Sequence, residues 1–309
     1  MGARRSHADA AFKTLAFVFA SSIVFLTLVY FYELTTGSSL TLRSGFSFIL
    51  GSKWDPLGNV FGVLPMIYGS VVTSAIALLI GVPISLGVAV FLSELSPRRL
   101  RSPISFIVEM LAAVPSVVYG LWGVFILAPL LRVDVYPFLQ ANLGFLPIFQ
   151  GNIYGDSILT AGIVLAIMII PIVSSISRDA LLAVPDSQRE AAYALGATRS
   201  EAIRISVLSY ARSGILASIF LGLGRAFGET IAVAMIIGNT PLISSSLFAP
   251  GYTLASLIAS EFSEATTTVY TSALIEAGLV LLSVVFLTNF VARYFIRRLG
   301  RAREAASYL

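Results

Sequence analysis

Arg225 and Glu229 are the two charges hardest to reconcile with their surroundings. They sit in Gly224-Arg225-Ala226-Phe227-Gly228-Glu229-Thr230-Ile231-Ala232-Val233, inside a run otherwise apolar enough to cross a bilayer. A charge at the bilayer centre costs at least ~2.5 kcal/mol on insertion scales, so both groups must face protein or water rather than lipid. On a continuous helix, residues four apart share one face about one turn from each other. Three roles compete for such a pair. It is a mutual salt bridge that only offsets its own burial, or a link to a second membrane subunit whose pairings rearrange between states, or a site that handles an anion. For the last role a guanidinium offers planar, permanently charged donors that match oxyanion oxygens. Glu229 then holds Arg225 between passages and competes with the anion, keeping the site weak enough to release what it admits.

Other chemistry is largely excluded by residue type. The chain has no cysteine and a single histidine, His7, in a polar leader, which leaves no disulfide framework and no ordinary transition-metal site. It contains no Gly-x-x-x-x-Gly-Lys-Ser/Thr phosphate loop and no His-Glu-x-x-His. A Ser-His nucleophile is excluded, and Lys13 and Lys53 are not embedded where a Ser-Lys dyad needs them. This describes a pathway rather than an enzyme, with no cofactor in this chain. Glu109, just past a cytoplasmic turn, and Glu276, inside an apolar run, receive no role from sequence.

The elements that must hold these residues are membrane helices. Hydrophobic residues make up 57% of the 309 residues and charged residues 12%, and mean hydropathy is +0.90. Uncharged stretches run between Lys13 and Glu33, Asp55 and Glu94, Glu109 and Arg132, and Asp156 and Arg178. Each can cross a hydrocarbon core of ~30 Å, which takes ~20 helical residues. Two more, roughly 214 to 238 and 270 to 292, carry charges within them. Six spans are therefore expected. The first is longer than a signal-peptide core and is read as a retained helix. Of the 20 Lys and Arg residues, 16 fall on one side of this arrangement, which by the positive-inside rule places both termini in the cytoplasm. The net charge of +4 reflects topology, and no nucleic-acid partner is expected. Span three is expected to start near Ile104, and Pro83, Pro115 and Pro171 to kink or interrupt their helices. External segments at 33 to 65, 132 to 155 and 239 to 269 contain Gly, Pro and Asn among many apolar residues, as segments that pack on or dip into the bundle do.

The interior segment 178 to 213 is the least membrane-like. Pro185-Asp186-Ser187 signals a helix start, with Glu190 placed to complete a capping box with Ser187. Ala191, Ala192 and Leu195 then form a small apolar face, and Gly196 ends the helix. A second helix follows, capped at Ser200, with Ala202, Ile203, Val207 and Leu208 mounting it on the membrane surface while Arg199 and Arg204 face water or headgroups. Local physics alone describes an amphipathic interfacial loop, while alanines clustered before a glycine suit a protein that packs closely against the helix.

Glu190-Ala191-Ala192, three residues, Gly196, a spacer and Val207-Leu208 resemble the EAA loop of ABC importer permeases. Ser209 stands where that family often has proline. Val114 to Gly123 (VPSVVYGLWG), Gly222 to Thr230 (GLGRAFGET), Ser246-Leu247-Phe248 and Tyr252 to Ser256 are similar to the phosphate branch of the family. The likeness covers roughly residues 60 to 300. It implies an all-α membrane protein with the six-helix type I (MetI-like) importer fold and a cytoplasmic coupling helix. Residues 1–65 then form an N-terminal helix and external segment, 66–300 the permease domain with its coupling loop at 178–213, and 301–309 a tail.

The same resemblance implies a function: a subunit of an ATP-driven phosphate importer. It implies pairing with a sister permease, docking of a cytoplasmic ATPase dimer that uses the ATP, and delivery by an external phosphate-binding protein. Glu190, Ala191, Ala192 and Gly196 are then the coupling residues, and Arg225 with Glu229 the substrate pathway. The alternatives are a permease for another oxyanion or small solute, and a stand-alone secondary transporter or channel, which has no need of a docking loop.

Overall fold

The computed structural model describes residues 2–306, with side chains described within 9–296 apart from Ser44 and Arg98. Among these residues, six helices are long and apolar enough to cross a membrane: Asp9–Gly37, Leu64–Leu95, Ser116–Leu143, Ile158–Leu182, Arg199–Gly228 and Thr268–Ile296. They are spans one to six. The all-α expectation holds, with one small addition: Trp54 pairs with Phe61 and Asp55 with Val60 in a two-strand hairpin on the segment after span one.

Span four is the axis. Ala161, Val164, Leu165, Ala166, Ile169 and Val173 are all buried, and spans two and five pack along it. Lipid tails are as apolar as leucine, so membrane helices associate through close packing rather than through hydrophobic burial, and small residues permit it. At Gly162 an added Cβ would stand 2.5 Å from Ile76 Cγ2, and at Gly81 2.9 Å from Ile169 Cγ1. Each glycine thus allows spans two and four to touch. The N-terminal end of span four is closed by the segment after span five. Ser157, Ile158 and Leu159 donate their backbone N–H groups to the carbonyls of Ile236, Ala249 and Leu247 at 3.0–3.1 Å. These are the donors a helix start leaves without intrahelical partners, so this loop completes the helix while Phe248, fully buried, stacks on Tyr136.

Span three departs from expectation at both ends. It begins at Ser116; the preceding residues form a separate helix, Arg98–Ala112, and Pro115, extended at φ −58° and ψ 140°, divides the two. Polar Arg99, Arg101 and Glu109 alternate there with Ile104, Ile107 and Leu111, a pattern for lying along an interface. At the other end the span continues past Arg132 and Asp134 to Leu143. Two π-helical segments, Gly123–Leu127 and Leu131–Val135, make this extension. Each contains the residue four before a proline: Phe125 before Pro129 and Val133 before Pro137. A proline ring clashes with that carbonyl in an α-helix, and the wider π turn relieves the clash without ending the span. Pro83 and Pro171 lie inside uninterrupted helices, so of the three prolines singled out from sequence only Pro115 breaks its helix.

Span five ends at Gly228 rather than near residue 238. A short helix, Ile231–Ile236, follows and packs against Ser116–Trp122.

Candidate translocation and coupling sites

The break at the end of span five changes the relation between Arg225 and Glu229. Arg225 lies in the last turn of the helix, whereas Glu229 is extended (φ −71°, ψ 124°) beyond it. The shared helical face expected from their spacing is absent, and no ion pair among the described residues joins the two. Each charge meets a helix end instead. The guanidinium lies by the carbonyl-rich C-terminus of span five, and the carboxylate lies before the N-terminus of Ile231–Ile236, each the favourable sign for that pole. Glu229, 8% exposed, accepts a long 3.5 Å hydrogen bond from Ala232 N–H through Oε1.

Arg225 is half-buried, and its Nε is buried without a hydrogen-bond partner. The Tyr119 hydroxyl donates to the Leu111 carbonyl at 2.8 Å and so bridges the break at Pro115, and the short helix after the break in span five packs against the helix that carries Tyr119. Arg225 thus stands where the breaks of spans three and five approach each other. The two glycines of Gly120-Leu121-Trp122-Gly123 are packing positions: a Cβ at Gly120 would stand 2.7 Å from Met235 Sδ and one at Gly123 3.0 Å from Ile236 Cγ2. Gly222 packs on Val173 of span four, whereas a Cβ at Gly224 or Gly228 would meet nothing within 4 Å.

The segment 178–213 holds a short helix followed by the start of span five. The short helix, Asp186–Ala194, starts after Pro185 with no side-chain cap, so the Ser187–Glu190 box does not form. Its end is as expected. Gly196 has φ +81°, Gly196 N–H donates to the Tyr193 carbonyl at 2.9 Å and Ala197 N–H to Ala192 at 3.1 Å, the paired bonds of a Schellman turn. The residues read from sequence as a second helix are the start of span five, Arg199–Gly228, capped by Thr198 in a capping box with Glu201 rather than by Ser200. Ala202, Ile203 and Val207 are buried against protein rather than resting on a membrane surface, with Val207 in a cluster with Ala89 and Leu181 at the C-terminal ends of spans two and four.

Glu190, Ala191 and Gly196 are exposed, while Ala192 is turned inward at 7% exposure. Leu195 is 90% exposed and Tyr193 48%. The apolar face read from sequence is therefore divided: Ala191 and Leu195 point outward, and Ala192 holds the helix to the bundle.

Sequence reasoning missed what fastens this loop. Arg189 makes a two-pronged contact with Glu94, Nη2 to Oε1 at 2.7 Å and Nε to Oε2 at 3.2 Å, and also donates to the Val184 carbonyl at 2.6 Å. Glu94 lies in the π-helical end of span two, Phe91–Leu95. That end leaves carbonyls open to side chains: Arg101 donates to Ser93 O at 2.6 Å and Arg199 to Glu94 O. On the far side, Glu109 pairs with Arg178 at 3.2 Å, tying the Arg98–Ala112 helix to span four. The signal available in sequence was four arginines facing two glutamates across the cytoplasmic turns, but pairing needed the fold.

Residues 81–301 match the family described as "Binding-protein-dependent transport system inner membrane component". The chain is 45% identical over 303 residues to the phosphate transport system permease protein PstC of Xylella fastidiosa (strain Temecula1), covering 96% of this chain and 93% of that one. It is 47% identical over 266 residues to the PstC of Mesorhizobium japonicum, covering 85% and 81%. Among solved structures, a chain of the bacterial alginate ABC transporter, in complex with alginate pentasaccharide-bound periplasmic protein, superposes with TM-score 0.61 at 16% identity over 92% of this chain and 94% of that one. The inward-facing MetNI methionine ABC transporter gives 0.57 at 18% identity over 77% and 95%. At these identities the structures speak for the fold, a MetI-like importer permease. The chain belongs to the binding-protein-dependent transport system inner membrane components, and within them to the PstC permeases.

Proposed function

We propose that this chain is a pathway-forming permease subunit of an ATP-driven phosphate importer. The observation that carries the reading is near full-length similarity to permeases named for phosphate transport. Arg225 supplies fitting chemistry, with a permanently charged, half-buried guanidinium whose Nε has no internal partner. Phosphate passing the breaks in spans three and five is held by Arg225 and repelled by Glu229, which lowers affinity enough for release. The bare surface at Gly224 and Gly228 is where a PstA-like sister permease approaches closely.

The exposed face of Asp186–Ala194, with Glu190, Ala191 and Leu195 outward and Gly196 at its end, docks a PstB-like ATPase dimer. ATP hydrolysis resides on that dimer, and this chain carries no cofactor. A PstS-like binding protein delivers phosphate at the opposite face, and both termini are cytoplasmic. ATP binding draws the coupling helices together and opens the pathway outward, and hydrolysis resets it. The test is uptake of labelled phosphate by the assembled complex in vesicles containing ATP. Uptake that requires ATP and is resistant to excess sulfate and molybdate is expected. Competition by either anion would reassign the substrate, and uptake driven by an ion gradient without ATP would overturn the importer reading.

A further inference from the structure

A groove of about 460 Å³ opens between span six and the segment that follows span one. Its walls are apolar, with Leu42, Phe46 and Ile49 on one side and Leu279, Val284 and Leu287 on the other. The polar exceptions are Ser283, whose hydroxyl donates to the Leu279 carbonyl at 2.8 Å, and Glu276, which lines the groove, is 5% exposed, and has a buried Oε2 without a hydrogen-bond partner. A buried acceptor of this kind is unfavourable, and more so if charged, unless something donates to it.

The depth of that acceptor is fixed by span one. A Cβ at Gly37 would meet Ile275 at 3.0 Å, and one at Gly278 would meet Leu34 at 3.6 Å. Glu276 is therefore level with residues 34–37, just beyond Glu33, where the apolar run of span one ends. This is the height of lipid headgroups. From Glu276 the groove descends span six to Leu287, a further 11 residues, or about 16 Å at 1.5 Å per helical residue. One leaflet of a ~30 Å hydrocarbon core is about 15 Å thick. The groove thus has an acceptor at headgroup level and an apolar slot one leaflet deep.

We propose that this groove is a binding site for a phospholipid whose headgroup carries a primary ammonium. The ammonium donates to Glu276 Oε2 and one acyl chain lies along Leu279, Val284 and Leu287. A choline headgroup has no N–H to donate, and a glycerol headgroup lacks the cation that complements a carboxylate. The site lies outside the translocation and coupling regions, so the proposal does not rest on the identity of the transported solute.

This chain has no native cysteine, so in a complex whose other subunits have been made cysteine-free a single introduced thiol can be labelled. Leu287→Cys, in that complex, is labelled with bimane at the deep end of the groove and reconstituted in phosphatidylcholine nanodiscs. These are doped with chain-spin-labelled phosphatidylethanolamine, phosphatidylcholine or phosphatidylglycerol. Quenching by the ethanolamine lipid at several-fold lower mole fraction than the other two is expected, and adding Glu276→Gln should bring the three together. The comparison of lipids within one variant needs no substitution at Glu276, so a folding defect of that substitution does not blur it. Equal quenching by all three lipids would overturn the proposal, as would an ethanolamine preference that survives Glu276→Gln. Lack of quenching by any lipid would show that protein, such as another subunit's helix, covers the groove, and would overturn it equally.

Discussion

Arg225 and Glu229 lie on opposite sides of a helix break, the arginine in the last turn of span five and the glutamate extended beyond its end. Each is matched to a helix pole of opposite sign rather than to the other. Their effects on transport should therefore be close to independent. In reconstituted vesicles Arg225→Ala is expected to reduce phosphate uptake at least tenfold, a loss of about 1.4 kcal/mol in transition-state stabilisation. Glu229→Gln should alter uptake through its own site, and a double-mutant cycle should show coupling below about 0.5 kcal/mol. Rescue of Arg225→Glu by Glu229→Arg would restore the direct salt bridge as the better description.

Gly196 has φ +81° with open space around its missing Cβ, so backbone strain alone sets the cost of a small side chain. Gly196→Ala should lower stability by about 1–2 kcal/mol, while Gly196→Asn, better suited to the left-handed region, should cost less. Gly196→Asp adds a charge at the proposed docking surface and should separate the ATPase from the permease while leaving the chain in the membrane. Retained co-purification of ATPase with Gly196→Asp would count against the docking role.

The Arg189–Glu94 contact joins the exposed loop helix to the C-terminal end of span two, with both groups largely shielded from solvent. Removing one partner of such a pair typically costs about 3 kcal/mol because the other is left uncompensated. Glu94→Ala should therefore depress the thermal midpoint of the detergent-purified chain more than Glu94→Gln, which retains one acceptor. In the complex, hydrolysis should persist while transport per ATP falls, since motion at the loop no longer reaches span two. Unchanged coupling in both variants would sink this account.

Between spans five and six, Glu261 accepts from Trp54 Nε1 at 2.7 Å, Tyr270 Oη at 2.5 Å and Tyr252 Oη at 3.2 Å. Burial first, and the nearby Glu261 charge second, push the Tyr252 hydroxyl well above the ordinary phenol range, so it remains a donor at neutral pH. Trp54 is one of two tryptophans. In a Trp122→Phe background, Glu261→Ala should shift Trp54 emission to the red as the hairpin loosens, with about 1–3 kcal/mol lost for the unpaired donors. An unshifted spectrum would show that ring packing with Phe61 and Tyr270 suffices to hold Trp54.

The sequence by itself determined the number of spans, because apolar length between charges is set directly by bilayer thickness. It also determined the end of the Asp186–Ala194 helix at Gly196, because a left-handed turn requires a residue that tolerates positive φ. The spacing of Arg225 and Glu229 was equally visible, yet it misled. A four-residue interval means a shared face only while the helix continues, and the helix stops at Gly228 because Glu229 adopts an extended backbone and the short helix after it packs on Gly120 and Gly123. Span three likewise passes Arg132 because π turns absorb Pro129 and Pro137, a choice between ending and widening a helix that neighbouring contacts decide. Arg189 with Glu94, Glu261 with its three donors and Glu276 above its groove join residues far apart in the chain. Which buried charge finds a partner, and which is left open, depends on which helices pack side by side, and tertiary structure alone decides that.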